Sequence, residues 1–129
     1  SVGFEQRDGK LRIILSKDIR ELAGTLAGGV VDGLLLDHQL RKEDISHWII
    51  HSGGRKVIDT IQKELGLTDT QVFHSRHVLK NFGNMSSPTV LFVLQETLRD
   101  AKGGPKAGDL GVMLAMGPGL AIEGALLRW

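Results

Sequence analysis

Trp48-Ile49-Ile50-His51-Ser52-Gly53-Gly54 decides how this chain is read. A short apolar run ends at polar residues and a glycine pair, as a buried strand does when it gives way to a tight turn. Directly after it Val57, Ile58, Ile61 and Leu65 recur at three- and four-residue steps until Gly66. That is the pattern of an amphipathic helix closed by a glycine. Strand, turn and helix in this order predict a layered α/β protein. Ligands in such folds gather at strand ends, so His51 stands where chemistry is expected, against the plain alternative of a structural histidine.

Upstream, Phe4 to Leu15 reads as a β-hairpin around Asp8-Gly9, a pair suited to a two-residue type I′ turn because both tolerate positive φ. Ile19, Leu22, Ala23, Leu26, Val30, Leu34 and Leu35 then predict a long amphipathic helix, weakened by Gly28, Gly29 and Gly33. Downstream, Thr68-Asp69 caps a helix running through Val72, Val78, Leu79 and Phe82 to Gly83. Ser86-Ser87-Pro88 opens another through Val90, Val93 and Leu98. Leu110–Met116 and Leu120–Leu127 predict two strands joined by Gly117-Pro118-Gly119. The order β-β-α-β-α-α-α-β-β describes one α/β domain over residues 1–129, with no repeat or linker.

The composition narrows the function classes. An apolar fraction of 41% and a charged fraction of 24% are those of a globular chain, not a disordered one. Sixteen Lys and Arg against fifteen Asp and Glu leave a formal charge of +1, which argues against a nucleic-acid or membrane-surface binder. The apolar stretch from Val30 to Leu36 is interrupted by Asp32 and Gly33 and is too short to span a bilayer. No charged-then-apolar leader follows Ser1, so a cytoplasmic location is expected, and the absence of an initial Met suggests a processed start. Cysteine is absent, which removes disulfides, thiolate metal sites and a cysteine nucleophile belonging to these residues.

Of the five histidines, His74 and His77 lie three apart on a predicted helix, but no third ligand is near in sequence and no metal site is expected. His38 and His47 read as surface residues beside charged neighbours. Asn84 can offer an amide hydrogen bond to a carbonyl oxygen, as in an oxyanion hole. The bland reading of Gly83–Pro88, a helix stop and a helix cap, leaves Asn84 and Met85 unexplained. Neither Gly53-Gly54 nor Gly103-Gly104 matches a phosphate-cradling loop, and no serine sits in a GxSxG elbow.

Taken together, three stretches are specific. Trp48-Ile49-Ile50-His51-Ser52-Gly53-Gly54, Phe82-Gly83-Asn84-Met85-Ser86-Ser87 and Gly117-Pro118-Gly119-Leu120-Ala121-Ile122-Glu123 resemble the three C-terminal signatures of the type III polyketide synthases, the chalcone-synthase-like family. They occur in the family's order, with its His-to-Asn spacing, and the likeness runs from the Phe4 hairpin to Trp129. The His-Gln-Ala-Asn and Gly-Asn-Thr-Ser motifs of the related ketoacyl synthases are not those found here.

The resemblance implies a thiolase-like fold of two similar halves, of which this chain is the C-terminal one, acting as a homodimer. It implies a Cys-His-Asn triad in which His51 and Asn84 are the last two members and the cysteine comes from the N-terminal half of the same parent chain. The substrates it implies are coenzyme A thioesters, malonyl-CoA and an acyl-CoA starter, with no further cofactor. Ile13 aligns with a phenylalanine that gates the pocket in plant members. Ser86 matches a position that influences product length, and Gly117, Pro118 and Gly119 match a loop forming one wall. Gly53, Gly54 and Lys56 fall where the coenzyme A arm approaches. Ser52 in place of the plant Pro, and Ala115-Met116 in place of Gly-Phe, point to a bacterial branch. The run His51–Asp59 is similar to the subgroup making 3,5-dihydroxyphenylacetyl-CoA from malonyl-CoA alone. The competing expectation is a non-catalytic half-domain that serves association. Under either, an apolar face such as Val30–Leu36 or Val90–Leu94 is expected to be exposed.

Overall fold

A computed structural model describes residues 2–7, 10–15, 17–51, 54–83, 88–117 and 121–129. The hairpin is present: β1 (Val2–Arg7) pairs antiparallel with β2 (Lys10–Leu15), Phe4 opposite Ile13 and Arg7 opposite Lys10. The turn residues Asp8 and Gly9 lie outside the described residues. Helix α1 (Lys17–Asp37) follows, then a 3-10 turn at Lys42–Asp44, and β3 (His47–Ile50). Three helices come next, α2 (Arg55–Leu65), α3 (Phe73–Phe82) and α4 (Pro88–Arg99). Strands β4 (Leu110–Gly117) and β5 (Ala121–Arg128) close the chain. The element order is the one the periodicities predict.

The second sheet has the order β3-β4-β5, parallel between β3 and β4 and antiparallel between β4 and β5. A parallel pair requires a crossover, and α2, α3 and α4 supply it. Side chains alternate across a strand, and here both faces are covered. Trp48, Ile50, Val112 and Leu114 join one core with Val31 and Leu35 of α1 and with Val57, Ile58 and Ile61 of α2. Ile49 points the other way, into a second core with Val78 of α3 and Val90 and Val93 of α4, flanked by Met113 and Ala115. This double burial is why β3 reads as an unbroken apolar run rather than an alternating one.

Two glycines of α1 permit close helix packing. A Cβ on Gly24 would stand 2.7 Å from Thr60 Cγ2, and one on Gly28 would stand 3.2 Å from Glu64 Oε1, both on α2. Gly29 and Gly33 face open space. The α2 helix ends at Gly66, whose φ of 66° is the left-handed conformation that favours glycine. Thr68 bonds as foreseen, its Oγ1 accepting the Gln71 N–H while Gln71 Oε1 accepts the Thr68 N–H. That turn is not continued directly, and α3 starts later, at Phe73.

The expected apolar faces are corrected in detail. Within 30–36 and 90–94, Val31, Leu35, Val90 and Val93 are buried in the two cores. Leu36 and Leu91 of the same stretches are exposed as expected, and among the described residues Leu22 and Leu26 on α1, Leu98 on α4, and Phe73 and Phe82 at the ends of α3 are exposed as well. Among the described residues no helix is long and apolar enough to cross a membrane.

Candidate active site

His51 follows directly on β3. Its own N–H donates to the Leu114 carbonyl at 2.8 Å, so the β3–β4 ladder carries the histidine backbone to its position. The side chain is 4% exposed. The Met116 main-chain N–H approaches its Nδ1 at 3.4 Å, a long hydrogen bond in which the ring nitrogen accepts. A neutral imidazole accepting at Nδ1 carries its proton on Nε2, so β4 sets the tautomer of His51. An Nε2–H donor is what an oxygen gathering negative charge requires.

The strand that delivers His51 is itself held. In the three-stranded sheet β3 has β4 on one side only, and the Ile50 N–H on its other side donates to Ser75 Oγ of α3 at 3.3 Å. Ser75 is 3% exposed, so this is a buried tether from α3 to the residue preceding the histidine. Sequence periodicity gives no reason to single it out.

The other expected site positions divide. Gly54 caps α2 in an extended conformation, and a Cβ there would meet nothing within 4 Å, which leaves the space beside it open. Lys56 is exposed in the first turn of α2. Ile13 lies in β2 opposite Phe4, and Gly117 ends β4. Gly53, Asn84, Ser86, Pro118 and Gly119 lie outside the described residues, as does Ser52. The helices flanking Asn84, α3 and α4, both contribute to the core on the Ile49 side of the sheet.

The remaining histidines are structural. His74 Nε2 lies 3.1 Å from Asp100 Oδ2, and the ring of His77 stacks on Phe73. No group of three or more residues able to hold a metal occurs among the described residues. His38 bonds the Leu34 carbonyl of its own helix. His47 departs from the surface reading. Only 10% of its side chain is exposed, with Nε2 2.9 Å from Asp109 Oδ2 and the ring edge-on to Trp129 at 5.4 Å. Two carboxylates are acidified by these contacts. The N–H groups of Gly103 and Lys102, then His74, hold Asp100 below the ordinary aspartate range. The Lys106 N–H and then His47 do the same for Asp109.

Sequence reasoning also missed a basic cleft of about 390 Å³ between α2 and α3, lined by Arg55, Arg76, Leu79 and Lys80. Its signal was the density of cations around the two candidate catalytic positions.

Comparison with known proteins places this geometry. Residues 12–129 match the family "Chalcone and stilbene synthases, C-terminal domain". The chain is 41% identical over 126 residues to the 3,5-dihydroxyphenylacetyl-CoA synthase of Streptomyces toyocaensis, covering 98% of this chain and 32% of that protein. It is 38% identical over 118 residues to the 1,3,6,8-tetrahydroxynaphthalene synthase of Streptomyces peucetius subsp. caesius, covering 92% of this chain and 31% of that one. Among solved structures, PKS-I of the brown alga Ectocarpus siliculosus superposes with a TM-score of 0.78 at 32% identity, over 98% of this chain and 35% of that chain. The chain thus spans about a third of the length of the relatives it matches. With a family match over nearly all its length and a two-sided α/β sheet to go with it, the chain belongs to the chalcone and stilbene synthase family, whose C-terminal domain it matches, and has that family's thiolase-like fold.

Proposed function

We propose that this chain is the C-terminal half of a type III polyketide synthase, an acyltransferase that condenses malonyl-CoA onto an acyl starter, with a product of the 3,5-dihydroxyphenylacetyl-CoA kind. The observation that carries the reading is His51, buried at the strand end, with its Nδ1 accepting from the Met116 N–H.

The chemistry follows from what a malonyl thioester requires. Its terminal carbon–carbon bond breaks, carbon dioxide leaves, and the electron pair moves into the thioester as an enolate. Negative charge collects on the thioester oxygen, where the His51 Nε2–H and the Asn84 side-chain N–H donate. The enolate carbon then attacks the acyl group carried on a cysteine, extending the chain by two carbons and returning the thiolate. That cysteine belongs to the N-terminal half of the parent protein, since these residues contain none. The chain alone is therefore inactive, and the working enzyme is a cytoplasmic homodimer using coenzyme A thioesters. The roles of Ile13, Ser86 and Gly117–Gly119 in shaping the pocket, and of Gly53, Gly54 and Lys56 toward coenzyme A, belong to the same proposal.

Replacing His51 or Asn84 by alanine in the full-length protein is expected to slow carbon dioxide release from malonyl-CoA by about a hundred- to a thousand-fold, the usual cost of one lost oxyanion donor. Wild-type release from both variants would overturn the assignment.

A further inference from the structure

Among the described residues β3 pairs with β4 on one side only, so its outer edge needs a partner of another kind. The His51 N–H faces β4 and donates to the Leu114 carbonyl at 2.8 Å, and the Ile50 N–H faces the outer edge. Ile50 is 1% exposed, and a donor buried there without an acceptor is costly. The Ser75 hydroxyl stands where a neighbouring strand would offer a carbonyl and accepts that bond at 3.3 Å. The main chain is therefore held from both edges within one residue of His51.

Helix α3 is fastened where it carries Ser75. His74, Ser75 and Arg76 splay ~100° apart around the helix. His74 Nε2 lies 3.1 Å from Asp100 Oδ2, and Asp100 Oδ1 accepts in turn from the N–H groups of Lys102 and Gly103. Arg76 donates at 2.7 Å to both Asp59 Oδ1 and Gln62 Oε1 on α2. Between them Ser75, 3% exposed, turns toward β3. The His51 ring is held less tightly than its main chain, because the Met116 N–H reaches Nδ1 only at 3.4 Å. A small outward shift of the strand end opens that contact and releases the tautomer. We infer that Ser75 is a positioning residue: through the Ile50 N–H it keeps the end of β3 against β4, and so keeps the His51 ring within reach of the N–H that sets its tautomer. Its effect on turnover rests on the function proposed above; its effect on the ring does not.

The test compares full-length wild type with Ser75→Ala, with Ser75→Thr, which keeps a hydroxyl, and with Val93→Ala, which loosens the second core without touching the tether. In Ser75→Ala kcat for carbon dioxide release from malonyl-CoA is expected to fall about tenfold with KM unchanged, less than the ~100-fold that a misplacement of ~1 Å can cost. Ser75→Thr is expected to restore it and Val93→Ala to leave it unmoved. The ring nitrogens of His51, read by nitrogen-15 resonance and assigned by their loss in His51→Gln, are expected to show one tautomer in wild type and a mixture in Ser75→Ala. Where Ser75→Ala does not fold, Ser75→Cys, similar in shape with a weaker acceptor, is read in its place. Where Ser75→Thr does not fold, the ring comparison with Val93→Ala decides. An unchanged ring signature in Ser75→Ala would overturn the inference, whatever happens to kcat. So would a folded Ser75→Thr no better than Ser75→Ala, or both effects recurring in Val93→Ala. The two proposals fail separately: a protein that decarboxylates malonyl-CoA with its ring indifferent to Ser75 loses the positioning role only. One that never decarboxylates, yet shows the mixed tautomer in Ser75→Ala, keeps the tether and loses the catalytic reading.

Discussion

The same substitution is expected to have opposite signs at two glycines. Gly124, in β5 opposite Leu114, faces α1, and a Cβ placed on it would stand 2.6 Å from Val30 Cγ1, 2.9 Å from Leu34 Cδ1 and 3.2 Å from Leu114 Cδ2. Val30 and Leu34 are one turn apart on α1, so two partly buried side chains must shift together, or the helix must move off the sheet. Adding a methylene to a filled core in this way costs typically ~1–3 kcal/mol. Removing the freedom of glycine from the unfolded chain returns only ~0.4–1 kcal/mol. The net expectation for Gly124→Ala is a loss of about 1–2 kcal/mol. Gly29 lies on the exposed side of α1 with nothing within 4 Å of its Cβ position, and its φ is outside the left-handed region. There alanine brings helix propensity without a clash, and Gly29→Ala is expected to gain ~0.5–1 kcal/mol. Urea unfolding reads both, provided the slope with denaturant is unchanged. A Gly124→Ala protein as stable as its parent would refute the claim that β5 and α1 are in contact at their closest approach. A destabilised Gly29→Ala would refute the division of the α1 glycines into packing and open positions.

Two further outcomes follow from buried and acidified groups. Ser75→Ala removes the acceptor of the Ile50 N–H and leaves that donor buried, so a loss of about 1–3 kcal/mol is expected in urea unfolding. A loss below about 0.5 kcal/mol would mean that the tether to β3 is not formed. Asp100 and Asp109 have lowered folded-state values, so their contribution is complete above the ordinary aspartate value of about 3.9 and is lost as pH falls through the lowered one. The amide proton shifts of Gly103 and Lys106 are expected to titrate in that acidic window, with the Gly103 response abolished in Asp100→Asn. Amides that stay still through the window, or a Gly103 shift that persists in Asp100→Asn, would contradict it.

What was legible in the sequence was whatever local periodicity encodes. The three-and-four spacing of Val57, Ile58, Ile61 and Leu65 exists because one face of α2 meets the sheet, and the unbroken Trp48-Ile49-Ile50 exists because β3 is covered on both sides. The burial of His51 at a strand end was legible from its place after such a strand, whereas the part proposed for Asn84 rests on the family motif alone. Glycines were misread where local propensity and packing pull apart. Gly28 looks like a weakness of α1 until α2 is seen lying against it, whereas Gly29 beside it is open. His47 looked exposed because its partners, Asp109 and Trp129, come from the far end of the chain.

The same reasoning explains why the proposed chemistry was only half readable. A catalytic histidine is a residue type, but its tautomer is set here by the N–H of Met116, a group that every residue except proline possesses and no sequence pattern marks. Ala115-Met116 replacing the plant Gly-Phe therefore leaves that donor in place: the substitution changes side chains lining the strand and not the bond to Nδ1. A proline at Met116 would remove the donor while leaving the strand's last apolar position filled. If His51 acts through Nε2–H, its tautomer depends on the main chain at Met116 and not on the side chain there.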